Sequence, residues 1–329
     1  MQPPLTSPFR IGGVEIANRV LLAPLAGIGN WFVRLQARRH GAGLAVSEMV
    51  SSFGLHYRNE RTLRDLLRLH PDEHPVSIQL FGQDPEVMRS AAEIVAEAGA
   101  DIIDINMGCP VKKVCKTGAG AALLSDPGLA VRIVAAARQG GGLPVTVKLR
   151  SGLAPGGREG FDLALRLAEE GGVAAVGFHP RSARTQHKGN PDYELARELV
   201  GRLDVPLIIS GGLDDAESAR HAYEASGADA VMVARGSLGN PWIFEQLTGR
   251  RGADPDREEV IRELLWVIDR AEEHLGPERA ARYLRKFYPW YLDRLDADTA
   301  TAARLQESDD LEAARELVRE LSGLATAAA

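Results

Sequence analysis

Residues 100–110 read Ala-Asp-Ile-Ile-Asp-Ile-Asn-Met-Gly-Cys-Pro, an apolar run that ends in Gly108-Cys109-Pro110. The apolar half predicts a buried strand. That strand cannot continue through the last three residues, because glycine permits a sharp turn and proline removes a backbone donor. Asn106 and Cys109 therefore lie where a strand ends. A thiol and an amide at a strand end form a candidate active site, although a buried structural cysteine in a tight turn fits the same pattern.

The same unit of strand, turn and helix recurs along the chain. Apolar runs that predict eight strands lie at residues 20–22, 44–46, 76–80, 102–106, 145–148, 175–179, 207–210 and 230–233. Amphipathic runs typical of helices lie between them, for example over residues 86–98 and 216–226. Repeated units of this kind predict a (β/α)8 TIM barrel with a small C-terminal all-helical domain. A doubly wound open sheet is the alternative.

A barrel places its active site at the C-terminal ends of the strands. Seven of the predicted strand ends carry a polar residue, and we expect these residues to share one pocket: Glu48, Gln79, Asn106, Lys148, His179, Ser210 and Arg235. Glycine-rich turns follow the seventh and eighth strands, at residues 210–212 and 235–236. The backbone N–H groups of such turns favour a phosphate. The first strand is not followed by G-x-G-x-x-G, which disfavours a Rossmann nucleotide site.

Composition limits the class of protein. The 329 residues carry a net charge of −6 and are 45% hydrophobic, which fits a globular protein and argues mildly against a broad nucleic-acid surface. Two cysteines are too few for a disulfide framework or a four-ligand zinc site, so we expect no metal. The sequence shows no secretory signal and no apolar run long enough to span a membrane. We therefore expect a cytoplasmic protein with no obligate protein partner.

Composition changes after Phe244 and predicts two domains, a barrel over residues 1–245 and a helical bundle over residues 246–329. Helical patterns cover about 256–275, 277–295, 299–306 and 309–321. The second of these carries Arg279, Arg282 and Lys286 beside several aromatic residues. Cations interleaved with aromatic rings suit an RNA backbone with stacked bases. A solvated basic face above an aromatic core stripe is the alternative.

Motifs along nearly the whole chain resemble those of the tRNA-dihydrouridine synthase family. The most specific is Asn106-Met107-Gly108-Cys109-Pro110 with Lys112-Lys113-Val114 after it, and further matches lie at residues 24–27, 79–82, 147–150, 179–181, 234–236 and 240–242. Two positions depart from the family pattern. Ser210-Gly211-Gly212 replaces the usual Asn-Gly-Asp, and Cys115 stands where asparagine is common.

The resemblance implies a barrel that binds FMN, uses NADPH or NADH as reductant, and reduces uridines in tRNA. It implies that hydride passes from FMN to C6 of uracil and that Cys109 gives a proton to C5. An ordinary thiol, with a pKa of about 8.5, keeps that proton at neutral pH. Asn106 and Arg181 would hold the uracil edge, and Arg279, Arg282 and Lys286 would contact tRNA. The cofactor contacts implied are Pro24, Leu25, Ala26, Gln79, Lys148, His179, Ser210, Gly211, Gly212, Ala234 and Arg235.

Two other functions fit the same sequence. An FMN barrel acting on a free pyrimidine, such as dihydroorotate, suits the acidic net charge better. An RNA-binding protein without turnover is the second, and flavin absorbance in the purified protein would argue against it. The basic and aromatic segment over residues 277–295 favours tRNA, because an enzyme acting on a free pyrimidine does not need it.

Overall fold

The computed structural model describes residues 2–323 and begins with a hairpin that the sequence did not predict. Strand β1 (Phe9–Ile11) pairs antiparallel with β2 (Val14–Ile16). Ile11 and Ile16 are fully buried and pack against residues at the starts of the barrel strands, among them Leu44. The hairpin therefore fills the N-terminal end of the barrel. Two strands of three residues each are too short to show an alternating pattern.

The remaining strands form one large sheet. In chain order they are β3 (Val20–Leu22), β4 (Leu44–Val46), β5 (Val50–Ser51), β6 (Val76–Phe81), β7 (Ile102–Met107), β8 (Val145–Arg150), β9 (Ala175–His179), β10 (Leu207–Ser210) and β11 (Ala230–Val233). All except β5 form a parallel barrel, which closes where β4 pairs with β6. The short β5 pairs with the far end of β6. The predicted (β/α)8 barrel is confirmed, and the open sheet is wrong.

Helices surround the barrel. They are α1 (Trp31–Arg39), α2 (Ser52–His56), α3 (Pro85–Glu97), α4 (Lys112–Cys115), α5 (Pro127–Gly141), α6 (Glu159–Arg166), α7 (Tyr193–Val200) and α8 (Ala216–Ser226). Asp84 and Asp215 accept N–H bonds at the starts of α3 and α8, where a helix has free donors. Gly227 ends α8 in the left-handed conformation and turns the chain toward β11. Between residues 2 and 323, no helix is both long and apolar enough to cross a membrane.

Within residues 2–323, six α-helices follow the barrel strands, namely α9 (Ile243–Leu247), α10 (Arg257–Leu275), α11 (Pro277–Leu284), α12 (Tyr288–Arg294), α13 (Thr299–Glu307) and α14 (Leu311–Gly323). The single helix expected over residues 277–295 is wrong, because the chain forms α11 and α12 with a break between them. Pro289 has no N–H to bond the carbonyl of Arg285, and its ring would clash there. The predicted domain boundary after residue 245 falls inside α9, and the division into two domains stays a prediction.

The C-terminal helices rest on α1. The Gln36 amide donates to Glu263 of α10 at 2.8 Å and to the hydroxyl of Tyr291 of α12 at 2.8 Å. The Asn30 amide donates to the hydroxyl of Tyr283 of α11 at 2.7 Å. These side chains are mostly buried, so the contacts fix the C-terminal helices beside the first unit of the barrel.

Candidate active site

A cavity of about 380 Å³ lies at the C-terminal ends of the barrel strands. Its volume is within the range of small-molecule sites. Of the eighteen candidate residues named from the sequence, fourteen line this cavity: Pro24, Leu25, Ala26, Gln79, Asn106, Cys109, Lys148, His179, Arg181, Ser210, Gly211, Gly212, Ala234 and Arg235. The structure thus brings together residues from strands far apart in the chain.

Asn106 holds the loop that carries Cys109. Its side-chain oxygen accepts the backbone N–H of Gly108 at 3.2 Å and that of Cys109 at 2.9 Å. The Cys109 carbonyl in turn accepts the N–H of Ala121 at 3.0 Å. Cys109 is a free thiol of intermediate exposure on the cavity wall. The alternative of a cysteine packed wholly into the core is therefore wrong.

The Cys109 thiol stays protonated in this position. Partial burial raises its pKa, and neighbouring Cys115 acts in the same direction. A backbone N–H from Val111 and the charge of Arg150 oppose that rise without cancelling it. A raised pKa suits a proton donor and does not suit a nucleophilic cysteine, which needs the thiolate.

A hydrogen-bonded layer supports the floor of the cavity. The register of the sheet places Asp104 between Gln79 and Thr146 on the neighbouring strands. The carboxylate accepts the Gln79 amide and the Thr146 hydroxyl, each at 2.6 Å. The Gln79 side-chain oxygen then accepts the Asn106 amide at 2.9 Å. This network orients the amides of Gln79 and Asn106, so the loop bearing Cys109 rests on a fixed base.

Lys148 is a half-buried cation that lines the cavity. Its ammonium donates to the Ser210 hydroxyl at 2.8 Å. Burial lowers the pKa of Lys148 to about 8, the charge of Arg150 adds to this, and Asp104 opposes it. Burial also lowers the pKa of Arg150 to about 10. Such shifts come first from burial and then from neighbouring cations, and they cluster at functional sites.

His179 is neutral in this environment. Burial lowers its pKa far below the ordinary value, and the cations of Lys148, Arg150 and Arg181 contribute in that order. One guanidinium nitrogen of Arg181 lies 3.3 Å from Nε2 of His179. Arginine can only donate, so Nε2 is the acceptor and the imidazole proton belongs on Nδ1. Arg181 also donates twice to the Gly189 carbonyl, at 3.1 and 2.8 Å, which fixes its guanidinium.

The turn after β10 requires glycine because it packs closely against other side chains. Gly211 and Gly212 have φ values of +96° and +77°, where other residues are strained. A Cβ at Gly211 would lie 2.4 Å from Nε2 of His179. The Tyr193 hydroxyl donates to the Gly211 carbonyl at 2.8 Å and holds the turn in place.

The charge lining the cavity is strongly positive. Four cations line it, namely Lys148, Arg150, Arg181 and Arg235. Among the described residues, Asp214 is the single carboxylate that lines it. Cations, backbone N–H groups at glycine turns and a neutral imidazole together suit an anionic ligand with a phosphate. No group of three or more His, Cys, Asp or Glu side chains in residues 2–323 is arranged to hold a metal ion.

Three predicted tRNA contacts lie outside this cavity. Arg279 donates to Asp65 at 2.6 Å, and the Lys286 ammonium donates to the Gly27 carbonyl at 3.1 Å. Arg282 is exposed on α11. Most aromatic residues of this segment face inward, since Phe287, Tyr288 and Tyr291 are buried and Tyr283 and Trp290 are half-buried. The three buried rings are not free to stack on RNA bases, and they form the aromatic core stripe that the sequence offered as the alternative.

The sequence reasoning missed some residues and misplaced one. Met49, Arg150, Gln186 and His187 also line the cavity. Arg150 could have been found, because it lies two positions after Lys148 on the same strand and so on the same face. His187 lies in the loop after β9, where no periodic pattern points to it. Glu48 was expected in the ring, but it instead accepts the Gly27 N–H at 2.8 Å.

Comparison with known proteins identifies close similarities in sequence. The family model described as "Dihydrouridine synthase (Dus)" matches residues 21–327. The chain is 36% identical over 294 residues to tRNA-dihydrouridine synthase B of Shewanella oneidensis, covering 88% of this chain and 90% of that protein. It is 38% identical over 313 residues to tRNA-dihydrouridine synthase B of Pseudomonas aeruginosa, covering 92% and 93%.

Solved structures share the architecture at low sequence identity. A variant of NCR from Zymomonas mobilis is 20% identical with a TM-score of 0.57, covering 78% of this chain and 95% of that one. Morphinone reductase is 17% identical with a TM-score of 0.53, covering 79% and 93%. At these identities the likeness shows the barrel fold alone.

Proposed function

The chain belongs to the dihydrouridine synthase family, and from this we propose that it reduces specific uridines of tRNA to 5,6-dihydrouridine. The observation that carries the proposal is the meeting of the Cys109 thiol with a cluster of cations in one cavity. The thiol supplies an acid, and the cations supply a place for an anionic cofactor. The relatives matched over most of their length are named for the same activity.

The cavity residues fit FMN. Lys148 and Arg150 are neighbouring cations with lowered pKa values on the cavity wall, and the glycine turn at Gly211 and Gly212 brings backbone N–H groups to the same wall. The phosphate would be held by Ser210, Gly211, Gly212, Ala234 and Arg235. The ring system would be held by Pro24, Leu25, Ala26, Gln79, Lys148 and His179. When bound, FMN supplies the hydride that C6 of uracil needs, and NADPH or NADH replenishes it.

Cys109 completes the reduction of uracil. Once C6 has gained a hydride, C5 carries negative charge and needs a proton. The S–H bond of Cys109 breaks, the proton forms the new C5–H bond, and solvent reprotonates the thiolate. The raised pKa of Cys109 keeps the proton in place until it is needed. Asn106 holds the loop that carries this thiol, and with Arg181 it would contact the uracil edge.

A uridine within folded tRNA must leave its stack to reach a cavity of this depth. We propose that residues 246–329 form a tRNA-binding domain beside the barrel of residues 1–245, with Arg279, Arg282 and Lys286 toward the RNA. The exposure of Arg279 and Arg282 supports this, since phosphate contacts need accessible cations. A tRNA substrate also implies a cytoplasmic protein.

Nucleoside analysis of tRNA from cells that lack this protein tests the proposal. Dihydrouridine should be absent at one or more tRNA positions and should return when the protein is supplied. Unchanged dihydrouridine at every position would refute the function. A protein that converts free dihydroorotate and leaves tRNA unmodified would instead be an enzyme of free pyrimidines.

A further inference from the structure

Tyr57 is an unusually exposed aromatic residue. Its side chain is 72% exposed, and Val111 at 53% is the other large hydrophobic residue exposed in the described part of the chain. Tyr57 follows α2, in the segment after β5 at the cavity end of the barrel. Its ring lies 4.9 Å from that of His56 and 6.3 Å from that of Phe53, measured between centroids. One face of a small aromatic cluster is thus open to solvent.

An arginine cluster lies a few residues further along the chain. The carboxylate of Asp65 is 2.8 Å from Arg64, 2.6 Å from Arg279 of α11 and 3.8 Å from Arg61. Asp65 is buried, whereas the side chains of Arg61 and Arg64 are 84% and 63% exposed. Asp65 and the exposed Glu60, whose charge acts on Arg64, oppose these three guanidinium groups. The cluster therefore keeps a surplus of one positive charge.

The surface continues from this cluster toward Cys109. Gly82 packs against Ser52 at the start of α2, and Gly118 packs against Gln83 in the next loop. The loop of residues 108–118 then carries three exposed lysines and no acidic residue: Lys112, Lys113 and Lys116. The loop that carries Cys109 is thus basic, although the whole chain has a net charge of −6. We call Tyr57, Arg58, Arg61 and Arg64 the arginine rim.

We propose that the arginine rim binds the tRNA strand on its way to the cavity, with Tyr57 stacked on a base and the arginines on flanking phosphates. The proposal rests on tRNA being the substrate. An exposed ring beside cations is the arrangement that single-stranded nucleic acid recognises. The ion pairs of Asp65 join the rim to α11, so the rim and the C-terminal helices present one surface.

Binding of an unmodified tRNA transcript to the flavin-loaded protein tests the rim. Tyr57→Ala should bind roughly tenfold more weakly, whereas Tyr57→Phe should remain within about twofold, because stacking needs only the ring. Arg61→Glu with Arg64→Glu should lower the salt dependence of log Kd by roughly 1.5, as expected for two lost phosphate contacts. Arg61→Glu alone should lower it by about half as much, and it disturbs Asp65 least.

Arg10→Glu is the matched control, since Arg10 is 60% exposed on the hairpin at the other end of the barrel. It should leave affinity and salt dependence unchanged. Wild-type affinity in Tyr57→Ala, with unchanged salt dependence in the arginine variants, would overturn the proposal and point to a different occupant of the rim. Dihydrouridine formation by the wild type is measured on the same tRNA. Its absence would refute the proposed function, while the binding data alone decide the rim.

Discussion

Replacing Lys148 with methionine should stabilise the flavin-free protein and weaken its binding of flavin. Burial lowers the pKa of Lys148 from its ordinary 10.5 to about 8. Each pKa unit is worth about 1.4 kcal/mol, so the buried charge costs up to about 3 kcal/mol of folding free energy at neutral pH. Methionine has similar length and no charge, and it removes this cost.

The gain is smaller than that upper bound for two reasons. The substitution removes the hydrogen bond of 2.8 Å from Lys148 to the Ser210 hydroxyl, which is worth about 1 kcal/mol. Lys148 also lines an open cavity, where water reduces the cost of its charge. We expect Lys148→Met to raise the free energy of unfolding by about 1–2 kcal/mol at about pH 7.

The stability gain should depend on pH. Between pH 8 and 10.5 the unfolded wild-type chain binds more protons at this position than the folded chain does. Wild-type stability therefore rises with pH across that window, as the cost of burying the charge disappears. The methionine variant has no such dependence. The difference in free energy of unfolding between the variant and wild type should fall close to zero by about pH 9.5.

Urea unfolding of the flavin-free wild type and Lys148→Met proteins, followed by circular dichroism at about pH 7 and about pH 9.5, measures the difference in their free energies of unfolding. Fluorescence titration with FMN measures the expected loss of affinity. Lys113→Met is the matched control, because Lys113 is exposed and its charge costs nothing to keep. A Lys148→Met protein that is less stable than wild type at neutral pH would refute the reasoning. So would a gain in the free energy of unfolding that is the same at both pH values.

Three further predictions follow from the cavity and its surroundings. Cys109→Ala should keep flavin absorbance but lower the rate of dihydrouridine formation at least ~100-fold, measured by mass spectrometry of digested tRNA. Gly211→Ala should lose about 1–3 kcal/mol of stability and most of its flavin affinity, because its Cβ would lie 2.4 Å from an imidazole nitrogen. Arg282→Glu should lower the salt dependence of tRNA binding by roughly 1.

Each of these variants has a control in the same chain. Cys115→Ala should retain activity, and equal losses in both cysteine variants would remove the acid role of Cys109. Gly227→Ala carries the backbone strain at φ +66° with nothing within 4 Å of the added Cβ, so it should bind flavin normally. If Arg282→Glu gives the wild-type salt dependence, α11 has no part in binding RNA phosphates.

The barrel could be predicted because its signals are local. Short apolar runs, helix caps and glycine turns repeat along the chain, and each can be recognised from a few residues. The strand ends then follow from the fold, which is why Lys148, His179 and Ser210 were placed correctly in one cavity. The repeated strand and helix unit thus allowed site residues to be predicted from the sequence pattern.

What the sequence did not reveal depends on contacts between distant segments. Glu48 ends its strand like the other ring residues, but it bonds the backbone of Gly27. Phe287 packs inward against Phe32 of α1, a partner that no local pattern reveals. Arg279 is close in sequence to Arg282, yet it pairs with Asp65 over two hundred positions away. No periodic pattern encodes such partners.

The most direct test of the account is position-resolved measurement of dihydrouridine in an unmodified tRNA transcript incubated with the flavin-loaded protein and NADPH. We predict that dihydrouridine forms at defined positions of the transcript. The Cys109→Ala protein should form it far more slowly. A yellow wild-type protein that oxidises NADPH but leaves every uridine of the transcript unreduced would contradict the account.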